Sequence, residues 1–149
     1  MDRYVSDPVE LPAVEGEPEF ERADLIFHGI DHGGDSYEAR VFLDRPDADE
    51  ATPLDLEHGY AGSFFIFGHG GCAGDEGHCD VPEDQTDPDD LRLAHPLTGA
   101  TRQVIVTEAL RGVSGESFTF TVVPVLPGAD APRREDVLAF ESVELLTFD

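Results

Sequence analysis

Tyr60-Ala-Gly-Ser-Phe-Phe-Ile-Phe67 runs directly into Gly68-His-Gly-Gly-Cys-Ala-Gly-Asp-Glu-Gly-His-Cys-Asp-Val-Pro82. The first half is the most apolar run in the chain. Ser63 to Phe67 is short, aromatic and bounded by glycines, which reads as a strand buried on both faces. The second half is a glycine loop that carries His69, Cys72, His78 and Cys79. Both cysteines of the protein and two of its six histidines fall in these eleven residues. Any chemistry the chain does by itself is expected here.

Strand signals lie on either side of this stretch. Ala23 to Ile30 is a strand candidate with Leu25, Phe27 and also Ile26 toward apolar surroundings. Tyr37 to Leu43 alternates, Tyr37, Ala39, Val41 and Leu43 against Glu38, Arg40 and Phe42. Thr101 to Leu110 sets Val104 and Val106 against Gln103, Ile105 and Thr107. Ser117 to Val125 directs Phe118, Phe120 and Val122 one way and Thr119 and Thr121 the other. Pro124 near its end fits an edge or a terminus. In Val137 to Phe148 the apolar phase slips around Glu141 to Val143, which predicts a bulge or a break. No window of eleven or more residues carries a helical stripe. The expected fold is all-β, an antiparallel β-sandwich or barrel of about six to eight strands with long acidic loops.

The 149 residues suffice for one core without staples. Residues 1–20, with Pro8, Pro12 and Pro18 among many carboxylates, read as a mobile N-terminal arm, and residues 21–149 as one β-sandwich domain. Asp44 to Glu57 is an acidic loop. Asp75 to Asp90 has eight carboxylates and no base, a solvated loop by composition. The spacing of Asp84, Asp87, Asp89 and Asp90 does not match an EF-hand.

Nine basic residues, none a lysine, stand against 33 acidic ones, for a formal net charge of -24. Such a surface repels nucleic acid and anionic membranes. It fits a basic partner, a salty cytoplasm or a GC-rich genome. With no apolar leader and no run of the roughly 18 residues a membrane span needs, the chain reads as cytoplasmic.

Five segments, taken in order, carry a resemblance. They are Tyr37-Glu-Ala-Arg-Val-Phe-Leu-Asp44, Tyr60-Ala-Gly-Ser-Phe-Phe-Ile-Phe67 with a histidine just beyond, and Val104-Ile-Val-Thr-Glu-Ala-Leu110. Ser117-Phe-Thr-Phe-Thr-Val-Val-Pro124 and Val143-Glu-Leu-Leu-Thr-Phe-Asp149 complete the set. Together they resemble the C-terminal β-domain of plant-type polyphenol oxidases, in the tyrosinase family of type-3 copper proteins. The resemblance implies an antiparallel sandwich that packs over a helical two-copper domain, shields its copper entrance and keeps the enzyme latent.

The sequence departs from that pattern in two respects. No segment of it resembles the copper-binding helical domain, and the Gly68 to Cys79 loop is longer and richer in metal donors. The histidines His28, His32, His58, His69, His78 and His95 lie on expected strands and loops. A dicopper centre needs two triads held toward one cavity, and no helix is expected here to align them. No catalytic residue is therefore assigned.

Three readings of the loop stand side by side. It is a glycine hairpin with Cys72 and Cys79 free or locally joined. It is a metal site, His69, Cys72, His78 and Cys79 making a donor set for zinc or copper. Or it is a contact surface, with Gly68, His69, Gly70 and Gly71 approaching a partner's active site. Two functions follow: an accessory domain acting on a type-3 copper oxidase domain or subunit, or an independent metal-binding or copper-delivery module.

Overall fold

The computed structural model describes residues 3–14, 17–32, 34–68, 88–89, 99–128 and 137–149. Six strands of six to nine residues build the body: β5 (Arg22–Ile30), β6 (Tyr37–Leu43), β7 (Tyr60–Ile66), β8 (Ala100–Ile105), β10 (Phe120–Val125) and β11 (Ser142–Phe148). Five two-residue strands join them: β1 (Tyr4–Val5), β2 (Val9–Glu10), β3 (Ala13–Val14), β4 (Glu17–Pro18) and β9 (Ser117–Phe118). All the pairings are antiparallel. One sheet has the order β1-β10-β6-β7 and the other β11-β5-β8. The all-β expectation holds. Of its two forms the sandwich is the one adopted, because the sheets remain separate and do not close into a barrel.

The period-2 alternation of apolar residues explains how the layers meet. Tyr37, Ala39 and Val41 of β6 and Phe120 and Val122 of β10 turn inward, toward Leu25 and Phe27 of β5 and Val104 of β8, in one shared core. The sheets meet where β7 passes β8. Gly62 has φ +146° there, and a Cβ on it would sit 2.8 Å from a methyl of Val104. A side chain would push the corner open.

The outer face of the first sheet is covered too. Phe42, Val123 and Ala48 form a second small core, with Tyr60 packed against it. The cover comes from the 44–59 segment. Arg40 Nη1 donates to the Glu50 carbonyl at 3.2 Å, and Asp44 Oδ1 accepts from the Thr119 N–H at 2.8 Å. Thr121, on this face, is fully buried.

Two sequence expectations change. The central strand is not buried on both faces: Phe64 and Ile66 are buried, but Phe65 is 66% exposed and Phe67 79%. A continuous apolar run does not disclose that alternate side chains leave the core. The Thr101 to Leu110 segment is strand only as far as Ile105. Val106 then donates to the Ala23 carbonyl at 2.8 Å, and a short helix α1 (Thr107–Arg111) begins, with Leu110 fully buried. Five residues are too few to show a helical stripe.

Parts of the N-terminal segment pack against the body. β1 pairs with β10 and β2 with β9, the Ser6 hydroxyl accepts the buried Phe120 N–H at 2.9 Å, and Leu11 and Phe20 reach the core. Its few apolar residues carry no period because each meets a different part of the body. Pro124 lies within β10, between β1 and β6 in sheet order, but past the two residues that β1 pairs. Last, the expected break is present, β11 starting at Ser142 after a bend at Glu141. Among the described residues no helix is long and apolar enough to cross a membrane.

Candidate functional site

The site is built from the end of β7. Register sets Val125, Glu38 and Phe65 in one row across three strands, on the outer face of the sheet. Glu38 is paired with Arg40 at 3.1 Å. Phe65 and Phe67 project on this side, and with Tyr37, Glu38, Val125 and Pro127 they line an open groove of about 350 Å³. Two large exposed aromatics in one groove give this face apolar area.

The strand ends on a rigid base. Gly68 donates its N–H to Ser36 Oγ at 2.9 Å, and Arg102 Nε donates to the Phe65 carbonyl at 3.2 Å. A Cβ on Gly68 would collide with the Gly34 carbonyl oxygen and the Asp35 carbonyl carbon. Glycine is therefore required at this point by space alone. Behind the groove Tyr37 is 3% exposed and its hydroxyl has no hydrogen-bond partner among the described residues. Burial, reinforced by the Asp31 carboxylate and opposed by Arg102, pushes its pKa up to about 12. The phenol is neutral at ordinary pH and no proton carrier.

Of the residues singled out in the sequence, only Gly68 falls within this geometry. His69, Gly70, Gly71, Cys72, His78 and Cys79 lie outside the described residues, as does His95. Two other histidines have carboxylate partners at the surface. His28 Nε2 lies 2.7 Å from Glu144, and His58 Nδ1 lies 2.6 Å from Asp55. Hydrogen bonds from His58 hold the Asp55 carboxyl below its usual range. Among the described residues no three His, Cys, Asp or Glu side chains converge as a metal site. Sequence reasoning missed Phe65 and Phe67 as surface residues. The available signal was Glu38, whose alternation put it outward, but only the register of β6 and β7 sets it opposite Phe65.

No family model and no curated protein matches this chain. Solved structures do. A recombinantly expressed latent aurone synthase (polyphenol oxidase), co-crystallised with hexatungstotellurate(VI), matches 99% of this chain with TM-score 0.54 and 19% identity. The latent enzyme from its natural source matches with TM-score 0.53 and 19% identity, again over 99% of this chain. Recombinant latent enzyme alone gives 0.53 and 20% over 99%. The chain spans only about a quarter of those proteins, 24%, 24% and 25% of their lengths. At this identity the likeness establishes a shared fold, and the part shared has the size of one domain, in line with the C-terminal β-domain that the sequence resembles.

Proposed function

We propose that this chain is a non-catalytic accessory domain that shields the copper entrance of a type-3 copper oxidase on a separate chain. The observation that carries this reading is the fold likeness to latent polyphenol oxidases over 99% of the chain. The groove beside Phe65 and Phe67 supports it, since an apolar contact face next to the base of a glycine loop suits a cover for another protein's active site. In this reading Gly68, His69, Gly70 and Gly71 meet the partner. The test is kinetic: a type-3 copper oxidase domain lacking its own β-domain is assayed for catechol oxidation with and without the purified chain. Saturable inhibition is expected, weakened in Phe65→Ala and Phe67→Ala. An oxidase rate unchanged at the highest concentrations rejects the reading.

A second reading keeps the loop as its own metal module. His69, Cys72, His78 and Cys79 offer two imidazoles and two thiolates, suited to zinc or Cu(I), within eleven residues that start next to the firmly held Gly68. Elemental analysis of the purified chain decides it. Stoichiometric copper or zinc, lost in Cys72→Ser with Cys79→Ser, is the expected result under this reading.

A further inference from the structure

We infer that the outer edge of β11 is a self-association surface, whose partner is a second copy of this chain paired antiparallel through Ser142–Phe148. β5 fills one side of β11, and among the described strands none fills the other. Proteins blunt such edges with shortness, proline, bulges or charged side chains. Of these β11 has only one charged side chain, Glu144. The strand is seven residues long, contains no proline or lysine, and pairs with β5 in unbroken register from Ser142 opposite His28 to Phe148 opposite Arg22. The other sheet ends differ: β1 has two residues, β8 pairs with β5 through a register shift, and β7 meets β8 at the corner.

The side chains of this edge are complementary to themselves. On the outer face Leu146 is 39% and Phe148 42% exposed. Arg22 lies over the Phe148 ring, 4.5 Å from its centroid. Its Nε and Nη2 are held by Asp24 at 3.0 and 2.6 Å, and Gln103 donates to the same carboxylate at 2.6 Å. Asp24 is 1% exposed, so the guanidinium is fixed in plane, and its Nη1 has no partner among the described residues. Further along the same face Glu144 lies 2.7 Å from His28 Nε2. A two-fold axis at Leu145 would set Leu146 of each chain opposite Glu144 of the second copy and Phe148 opposite Ser142, and would keep the two Glu144 residues from facing each other. The two Leu146 side chains would come within diagonal reach.

The net charge of -24 opposes this pairing. Screening shortens from about 10 Å at about 0.1 M salt to about 3 Å at about 1 M. Pairing driven by strand hydrogen bonds and apolar burial must then strengthen as salt rises, the reverse of an association held by ion pairs. This inference does not depend on the accessory-domain reading.

Sedimentation velocity at low and at molar sodium chloride tests it. The expected result is the mass of one chain at low salt and of two at high salt, with amide exchange slowed across 142–148 in the dimer. Leu146→Lys should stay monomeric throughout, while Ile105→Lys, two strands from the edge, should dimerise like the parent. A monomer in concentrated protein at molar salt overturns the inference. So does a dimer that survives Leu146→Lys or is lost in Ile105→Lys. Should Leu146→Lys fail to fold, exchange in the parent chain decides, and amides 142–148 that do not slow with concentration overturn it.

Discussion

Phe27 of one sheet and Phe64 of the other meet with ring centroids 4.8 Å apart, and this contact joins the two layers. Phe27 also stands edge-on to Phe120 at 6.0 Å and to Phe140 at 5.5 Å, and it is fully buried. Replacing Phe27 with Ala should cost about 3 to 5 kcal/mol by lost burial and the cavity left behind. Phe65→Ala, one position from Phe64 but outward, should change stability by no more than about 0.5 kcal/mol. Urea denaturation of both variants checks the contrast, and equal losses would contradict the facing of β7.

The Ser6 hydroxyl accepts the buried Phe120 N–H at 2.9 Å. Ser6→Ala should therefore destabilise by about 1 to 3 kcal/mol, the range for a buried donor left unsatisfied. Removing residues 1–18 should cost more, since it takes away β1, β2 and the buried Leu11 as well. Thermal unfolding of the truncated chain is the measurement, with an unchanged midpoint as the contrary outcome.

Tyr37 makes stability fall in alkali. Its folded pKa is raised from 10.0 to about 12, so the folded state holds the proton that the unfolded state releases. The contribution is complete below about pH 10 and is lost as pH rises toward about 12, at most about 2 to 3 kcal/mol. Tyr37→Phe should remove this slope, and should be neutral or mildly stabilising near neutrality because the hydroxyl lacks a partner. Denaturation curves at a series of alkaline pH values read both effects.

Asp24 and Arg22 should respond unequally to substitution. Arg22→Met leaves a buried carboxylate with Gln103 as its remaining side-chain donor, whereas Asp24→Asn leaves a guanidinium free to turn to water. The larger destabilisation is expected for Arg22→Met. Equal losses in urea denaturation would show that Asp24 is solvated after all.

The sequence alone determined the class of fold. Period-2 alternation in Tyr37 to Leu43 and Ser117 to Val125 leaves one apolar face per strand, and only a second layer can bury it. Glycines and acidic turns marked the strand ends, and the slip at Glu141 marked a break. The tertiary structure decided what a single strand cannot encode. Ser63 to Phe67 is apolar at nearly every position, so its sequence does not state which residues face the core. Pairing with β6 turned Phe64 and Ile66 inward and left Phe65 and Phe67 on the surface. The role of residues 3–14 was equally hidden, because scattered apolar side chains gain meaning only from the distant strands they meet. Nothing in the sequence sets Asp24 apart from the other carboxylates. It became a buried anchor only when β5 and β8 brought Arg22 and Gln103 to it, long-range pairing supplying the hydrogen bonds that burial of a charge demands.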